Sequence, residues 1–196
     1  MYNSNLTDRG GLVVDIEALL ELLTRHNIPF GSWGEQGRAK TIKHLHRELV
    51  LGECSWGEGS TTWPLVRCVE AVRINVYFDL PTDRLRLRED RQVFRDGREN
   101  RRSLDYSMSE KMLPGETPTE AASRGLREEL GIEDNISLNF LGTKIFPVQA
   151  SISYPGLGTK HRAHLFETVL PVHLYQPEGY VETDPDKTSY FVWQPV

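Results

Sequence analysis

The sequence predicts an α+β protein, a mixed sheet with helical cover preceded by an N-terminal helical pair. Three observations predict it: two amphipathic helical segments come first, several segments of alternating hydrophobicity follow, and one strongly capped helix interrupts the strands.

Val13 to His26 reads as the first helix. Ile16, Leu19, Leu20 and Leu23 share a face, with Asp15 near the start and Arg25 and His26 near the end, where their charges suit the helix dipole. Asn27 and Pro29 stop it. After the loop GSWGEQGR, Thr41 to Val50 gives a second helix with Ile42, Leu45 and Leu49 inward. His44 and His46 diverge on it and read as surface or packing residues.

From Leu65 to Phe78 the period changes, because Val66, Cys68, Val72, Ile74, Val76 and Phe78 fall on alternate positions of a long half-buried strand. Arg84 to Glu89 and Arg91 to Phe94 continue the strand character. Asp96-Gly97 is a hairpin turn leading to a partner strand through Asn100. Arginines crowd this region from Arg84 to Arg102, but Glu89, Asp90, Asp96 and Glu99 alternate with them, which favours a solvated hairpin surface over a phosphate-attracting patch.

Leu113 to Ile132 is a turn running into a helix. Pro114 and Gly115 force the turn, Thr117 caps, Pro118 suits the first helical turn, and Glu120 completes a capping box. Ala122, Leu126 and Leu130 form the apolar stripe, and Gly131 ends the helix. Ile136 to Val148, Arg162 to Leu170 and Lys187 to Trp193 supply the remaining strands, with Ser153 to Arg162 expected as a mobile loop.

A chain of 196 residues with 38% hydrophobic content suffices for one core and a small appendage, divided here as a helical extension over 1–60 and a main domain over 61–196. A net charge of -5 argues against a nucleic-acid footprint. Cys54 and Cys68 form no C-x-x-C pair, so neither a disulfide framework nor a zinc site is suggested. His161 and His164 fall on a strand and point to opposite faces, which again argues against zinc. No apolar run has the length of a membrane span and the N-terminus lacks signal-peptide character, so a reducing cytoplasm is the expected compartment.

The loop and helix resemble the Nudix box, G-x5-E-x7-R-E-U-x-E-E-x-G-U with U a bulky aliphatic residue. Glu116 falls on the first glutamate, Arg124 on the arginine, Leu126 on the aliphatic position, Glu128 and Glu129 on the paired glutamates, and Gly131 and Ile132 on the closing pair. Two positions depart: Glu110 stands in place of the leading glycine and Gly125 in place of the glutamate after the arginine. The resemblance implies an α/β/α sandwich and hydrolysis of a diphosphate linkage in a nucleoside diphosphate joined to another moiety. It implies Mg2+ or Mn2+ held by Glu128 and Glu129 with help from Glu116, and Arg124 orienting a carboxylate. Many such proteins are dimers, so a homodimer is admitted. Residues three and four apart share a helix face, so carboxylates at positions 125, 128 and 129 would converge on one hard-oxygen site, and this chain lacks one of the three.

Glycine inside a helix costs about 1 kcal/mol relative to alanine, so Gly125 wants a reason. Three stand side by side: drift after loss of hydrolysis, close packing of a neighbour on that turn, or replacement of the carboxylate from elsewhere. Glu182, in the acidic run with Asp184 and Asp186, leads the replacements, followed by Glu167 and Glu120; a solvated turn is the plain alternative for that acidic run. Lys160 and Arg162 are the expected substrate-phosphate contacts. A rival reading keeps the fold without hydrolysis, as a nucleotide-binding or protein-interaction module, since fold and site are separable.

Overall fold

The computed structural model describes residues 15–34 and 39–196. The expected helix start at Val13, the character of the N-terminal segment and the last four residues of GSWGEQGR lie outside the described residues.

In chain order the elements are α1 (Ile16–Arg25), α2 (Ile42–Val50), β1 (Ser55–Gly57), β2 (Val66–Asp79), β3 (Arg84–Phe94), β4 (Glu99–Asn100), β5 (Met108–Lys111), α3 (Pro118–Leu130), β6 (Asn139–Ile145), β7 (Gln149–Ala150), β8 (Gly158–Val169), β9 (Tyr180–Thr183) and β10 (Lys187–Pro195). The chain divides into two compact units, one holding residues up to Val69 with Phe146–His161, the other Glu70–Ile145 with Arg162–Val196. The expected boundary after residue 60 lies within the first unit.

In the first unit, Asp15 caps α1 by accepting from the Glu17 N–H at 3.1 Å, and Leu19 and Leu23 are the buried pair of its apolar face. Thr41 caps α2, whose buried residues are Leu45 and Glu48; Ile42 and Leu49, expected inward, are only half-buried. The expected loop over Ser153 to Arg162 is corrected, because β8 already begins at Gly158 and Tyr154 and Leu157 are fully buried. Pro155 and Gly156 confine the turn itself to a few residues, with the Leu157 N–H donating to the Tyr154 carbonyl at 3.1 Å. The Trp33 indole N–H closes over it onto the Pro155 carbonyl at 3.0 Å.

In the second unit the strands lie in the order β6-β8-β2-β3-β10-β9, with β4 added to β3 and β5 to β2. The β6–β8, β2–β3, β3–β10 and β10–β9 pairs are antiparallel. β2 and β8 run in the same sense, since Glu70 meets His164 and the Leu170 N–H donates to the Tyr77 carbonyl further along both strands. The sheet is therefore mixed, and with three helices the class is α+β. Alternation in β2 holds from Val72 to Phe78; before that it slips, leaving Cys68 half-buried while Arg67 and Val69 are buried. The two segments expected on either side of Asp90 are one strand, β3. β10 pairs Tyr190 with Arg91 and Phe191 with Glu89, so Asp90 is an extra, bulged residue. The strand expected over Ile136 to Val148 shortens to β6.

α3 lays Ala121, Ala122, Leu126 and Leu130 on a core of Val72, Ile74, Val76, Phe78, Leu87, Phe166, Leu170 and Phe191. Each leucine so buried contributes about 2 kcal/mol. The capping box is formed as read, Thr117 with Glu120, and Gly131 closes the helix at φ +65°. A β-carbon is disfavoured in that left-handed conformation, so Gly131→Ala should lower stability by about 1 kcal/mol in chemical denaturation.

Candidate active site

Arg124 organises the turn and helix. Its Nε and Nη2 donate to the two oxygens of Glu116 at 2.8 and 3.0 Å, a bidentate pair. Nη2 also donates to the Lys111 carbonyl at 2.7 Å. Nη1 divides between Glu110 at 2.9 Å and Glu128 at 3.0 Å. All five N–H donors of the guanidinium are thus engaged, and Glu116 hydrogen-bonding first, with Glu110 and Glu128, outweighs burial and holds its pKa above even the usual arginine value. Arg124 can therefore brace the loop against the helix and leaves no donor for a ligand.

Glu116 accepts in addition from the Leu113 N–H at 2.9 Å, so its carboxylate is tied into the same brace, and the Arg124 hydrogen bonds hold its pKa below the ordinary range. Glu128, about half exposed, keeps one oxygen on Arg124 and does not line the cavity that holds Glu129. Glu129 differs from both, making no hydrogen bond or ion pair with the described residues. Burial, then the charges of Glu182, Glu110 and Glu89 outweighing that of Lys187, pushes its pKa up to about 8. It lines a cavity of about 60 Å³ with Glu89, Gln92, Arg102, Ser109, Lys187 and others.

The lining of that cavity comes from β3, β5 and β10, the loop between Arg102 and Ser107, and Glu129 of α3. Glu89 on β3 is buried and paired with Arg102, whose Nε donates at 2.8 Å. The Gln92 amide donates to the same carboxylate at 3.0 Å. Lys187 at the start of β10 reaches Ser189 at 3.0 Å and Glu182 on β9 at 3.4 Å. Glu182, expected as the substitute carboxylate, is thus placed by β9 where its charge acts on Glu129. Glu120 is engaged in the helix cap and Glu167 accepts from Asn139 at 3.0 Å. Lys160 and Arg162 both lie on β8, Arg162 within 3.7 Å of Glu70, and neither lines the cavity. The arginine-rich hairpin forms the pairs its charge alternation implies: Arg91 and Arg101 with Asp90, Arg98 with Asp96, Arg102 with Glu89.

Glu110 on β5 has a role the sequence reading did not give it. Beyond its bond to Arg124, its side chain packs on the turn of α3 that carries Gly125. A Cβ built on Gly125 would lie 2.9 Å from the Glu110 Cβ and 3.1 Å from the Met108 Cε, closer than packed carbons approach. Of the three reasons considered for the glycine, close packing is the one with a visible partner.

Fold and site together define a class: an α+β protein that sets a carboxylate-rich turn and helix on a mixed sheet. No family model and no curated protein matches the chain. Among solved structures it is similar to the C. elegans Ap4A hydrolase (15% identity, 65% of this chain and 80% of that chain, TM-score 0.37). It is similar also to the NUDIX domain of Shewanella oneidensis NrtR complexed with ADP ribose (13%, 65% and 72%, 0.36) and to the M. smegmatis Nudix hydrolase RenU (16%, 72% and 79%, 0.38). Likeness at these scores carries no argument about activity, which rests on the side chains above. No helix among the described residues is long and apolar enough to cross a membrane.

Proposed function

We propose that this chain is a Nudix-type hydrolase that uses Mg2+ or Mn2+ to cleave the diphosphate linkage of a nucleoside diphosphate joined to another moiety. The observation that carries the reading is Glu129, a half-buried carboxylate that lines the cavity and makes no hydrogen bond or ion pair among the described residues, with the negative charges of Glu182, Glu110 and Glu89 acting on it. A carboxylate so placed is stabilised by a cation or takes up a proton.

The donor set fits a small hard cation. Among the described residues no group of three acidic, histidine or cysteine side chains is already gathered as a cage. Magnesium does not require one, because it keeps several waters and binds through one or two carboxylates plus substrate phosphates. Glu129 and the exposed Glu128 beside it in sequence would hold it, and when bound it supplies polarisation of a phosphoryl oxygen and a water of lowered pKa. Arg124 and Glu116 keep the turn and helix rigid, which fixes the backbone that carries Glu128 and Glu129. Glu182, whose counter-charge is Lys187, would accept a proton from the attacking water.

Phosphate release should be screened over nucleoside triphosphates, dinucleoside polyphosphates and nucleotide sugars with each metal. Turnover of at least one class, dependent on the cation, is the expected result. Absence of turnover across the panel would remove the hydrolase and leave a binding module on the same fold.

A further inference from the structure

Away from the cavity that Glu129 lines, the second unit joins a hydroxyl, an imidazole and a carboxylate in one hydrogen-bonded chain. Thr143 Oγ1 stands 2.9 Å from His164 Nδ1, and His164 Nε2 stands 2.7 Å from Glu70 Oε1. A carboxylate can only accept, so Nε2 carries the ring proton and donates it to Glu70. Nδ1 is then the bare nitrogen of a neutral ring, and the Thr143 hydroxyl donates to it. The His164 side chain is 11% exposed and that of Glu70 43%, with Arg162 Nη1 3.7 Å from the same Glu70 oxygen. Thr143 itself is exposed, and none of the three lines the cavity.

The strand presents that hydroxyl. Leu141 is the extra residue of a bulge in β6, and Gly142 follows at φ +130° with open space where a side chain would stand. The Phe146 N–H donates to the His161 carbonyl at 2.9 Å in the same register, so positions 142 and 144 turn their backbone groups to β8 and Thr143 and His164 form a non-hydrogen-bonded pair. Such pairs bring side chains closest, which accounts for the contact between hydroxyl and imidazole. The Thr143 N–H therefore points away from β8, to the open side of the strand that ends the sheet order. Phe140, 53% exposed, leans toward the imidazole with ring centres 6.4 Å apart, an apolar wall beside it.

We infer that Thr143, His164 and Glu70 form a second, nucleophilic site for acyl transfer, which takes small esters with an apolar acyl or aryl group. Thr143 Oγ1 attacks the ester carbonyl carbon while its proton passes to His164 Nδ1, and the carbonyl electron pair moves onto oxygen, where the Thr143 N–H can donate to it. Collapse re-forms the carbonyl and expels the alcohol oxygen, which takes the proton from Nδ1 and leaves an acyl-threonine. Water attacks that ester in turn and gives a proton to Nδ1. The threonine oxygen leaves with that proton as the carboxylic acid is released. Glu70 is a positioning residue, fixing the tautomer and steadying the imidazolium formed in each half.

The test is covalent labelling of the full chain by an alkyl fluorophosphonate in chelator, with the modified peptide mapped by mass spectrometry and thermal melting in parallel. One label on Thr143, formed as its oxygen displaces fluoride, is the expected result. Thr143→Val, nearly the same in shape, should keep its Tm and lose the label, and Thr143→Ser should restore it. Glu70→Gln should slow labelling by roughly tenfold or more at unchanged Tm, since a glutamine N–H facing Nε2 moves the ring proton onto Nδ1. Hydrolysis of p-nitrophenyl acetate should fall by roughly tenfold or more in Thr143→Val. If the parent chain takes no label, takes it on another residue, or hydrolyses the acetate no faster than Thr143→Val, the site is wrong and the three groups only tie β6 to β8 and β2.

Discussion

Glu129→Gln is expected to lose turnover by about a hundredfold or more while becoming more stable than the parent chain above neutral pH. The first effect follows if Glu129 holds the cation: an amide offers a weaker, neutral donor. The second follows from burial. Its pKa is raised from 4.5 to about 8 by burial and then by the negative charges around it. Between those values the folded chain holds a proton that the unfolded chain has released. The stability Glu129 lends is thus complete below about pH 4.5 and is lost as pH rises toward 8. In chelator, the parent chain should lose on the order of 2 to 4 kcal/mol across that window. The glutamine variant should show a flatter profile, and Mn2+ should restore the parent chain at the alkaline end. Equal slopes in chelator for the two chains would mean that Glu129 is solvated and that the case for a cation is lost.

What the sequence disclosed about this region was what is encoded locally. The cap, the proline in the first turn, the four-residue apolar spacing and the terminal glycine all lie within α3 itself, and every one appears in the structure. Charge alternation likewise disclosed the ion-paired hairpin, and the break read at Asp90 marks the site of a bulge. Glu110 escaped because β5 is four residues long, polar at three of them, and defined only by its pairing with β2. No periodicity marks such a strand. The signal was nevertheless present as two departures of opposite size in one motif, and it became readable only when they were seen in contact. Glu48 escaped for a related reason: a glutamate on an amphipathic helix reads as solvent-facing until its partner is known. The acidic tail lay between, since a turn of Asp-Pro and Asp-Lys predicts its own geometry but not that β9 sets Glu182 beside α3.

Glu48→Ala is expected to destabilise the chain by about 3 to 5 kcal/mol. Glu48 is 4% exposed and Arg67 is 6% exposed. One Glu48 oxygen accepts from Arg67 Nη2 at 2.5 Å, and the other from Lys40 Nζ at 2.9 Å. Burial alone would pull the Arg67 guanidinium toward deprotonation, and the Glu48 charge beside it more than offsets that pull. The Arg67 guanidinium also lies 5.3 Å from the Tyr154 ring centre, which contributes to holding it in place but cannot replace a carboxylate. Truncating Glu48 therefore strands a buried cation whose Nε already lacks a hydrogen-bond partner. The penalty comes from the orphaned charge, not from the intrinsic strength of the pair, so removing both members should be milder. Glu48→Leu combined with Arg67→Met, similar in volume and apolar, should unfold at a denaturant concentration close to that of the parent chain, while Glu48→Ala unfolds far earlier. If the double replacement were as unstable as the single one, the burial of this pair would have to be stabilising in its own right and the desolvation argument would be wrong.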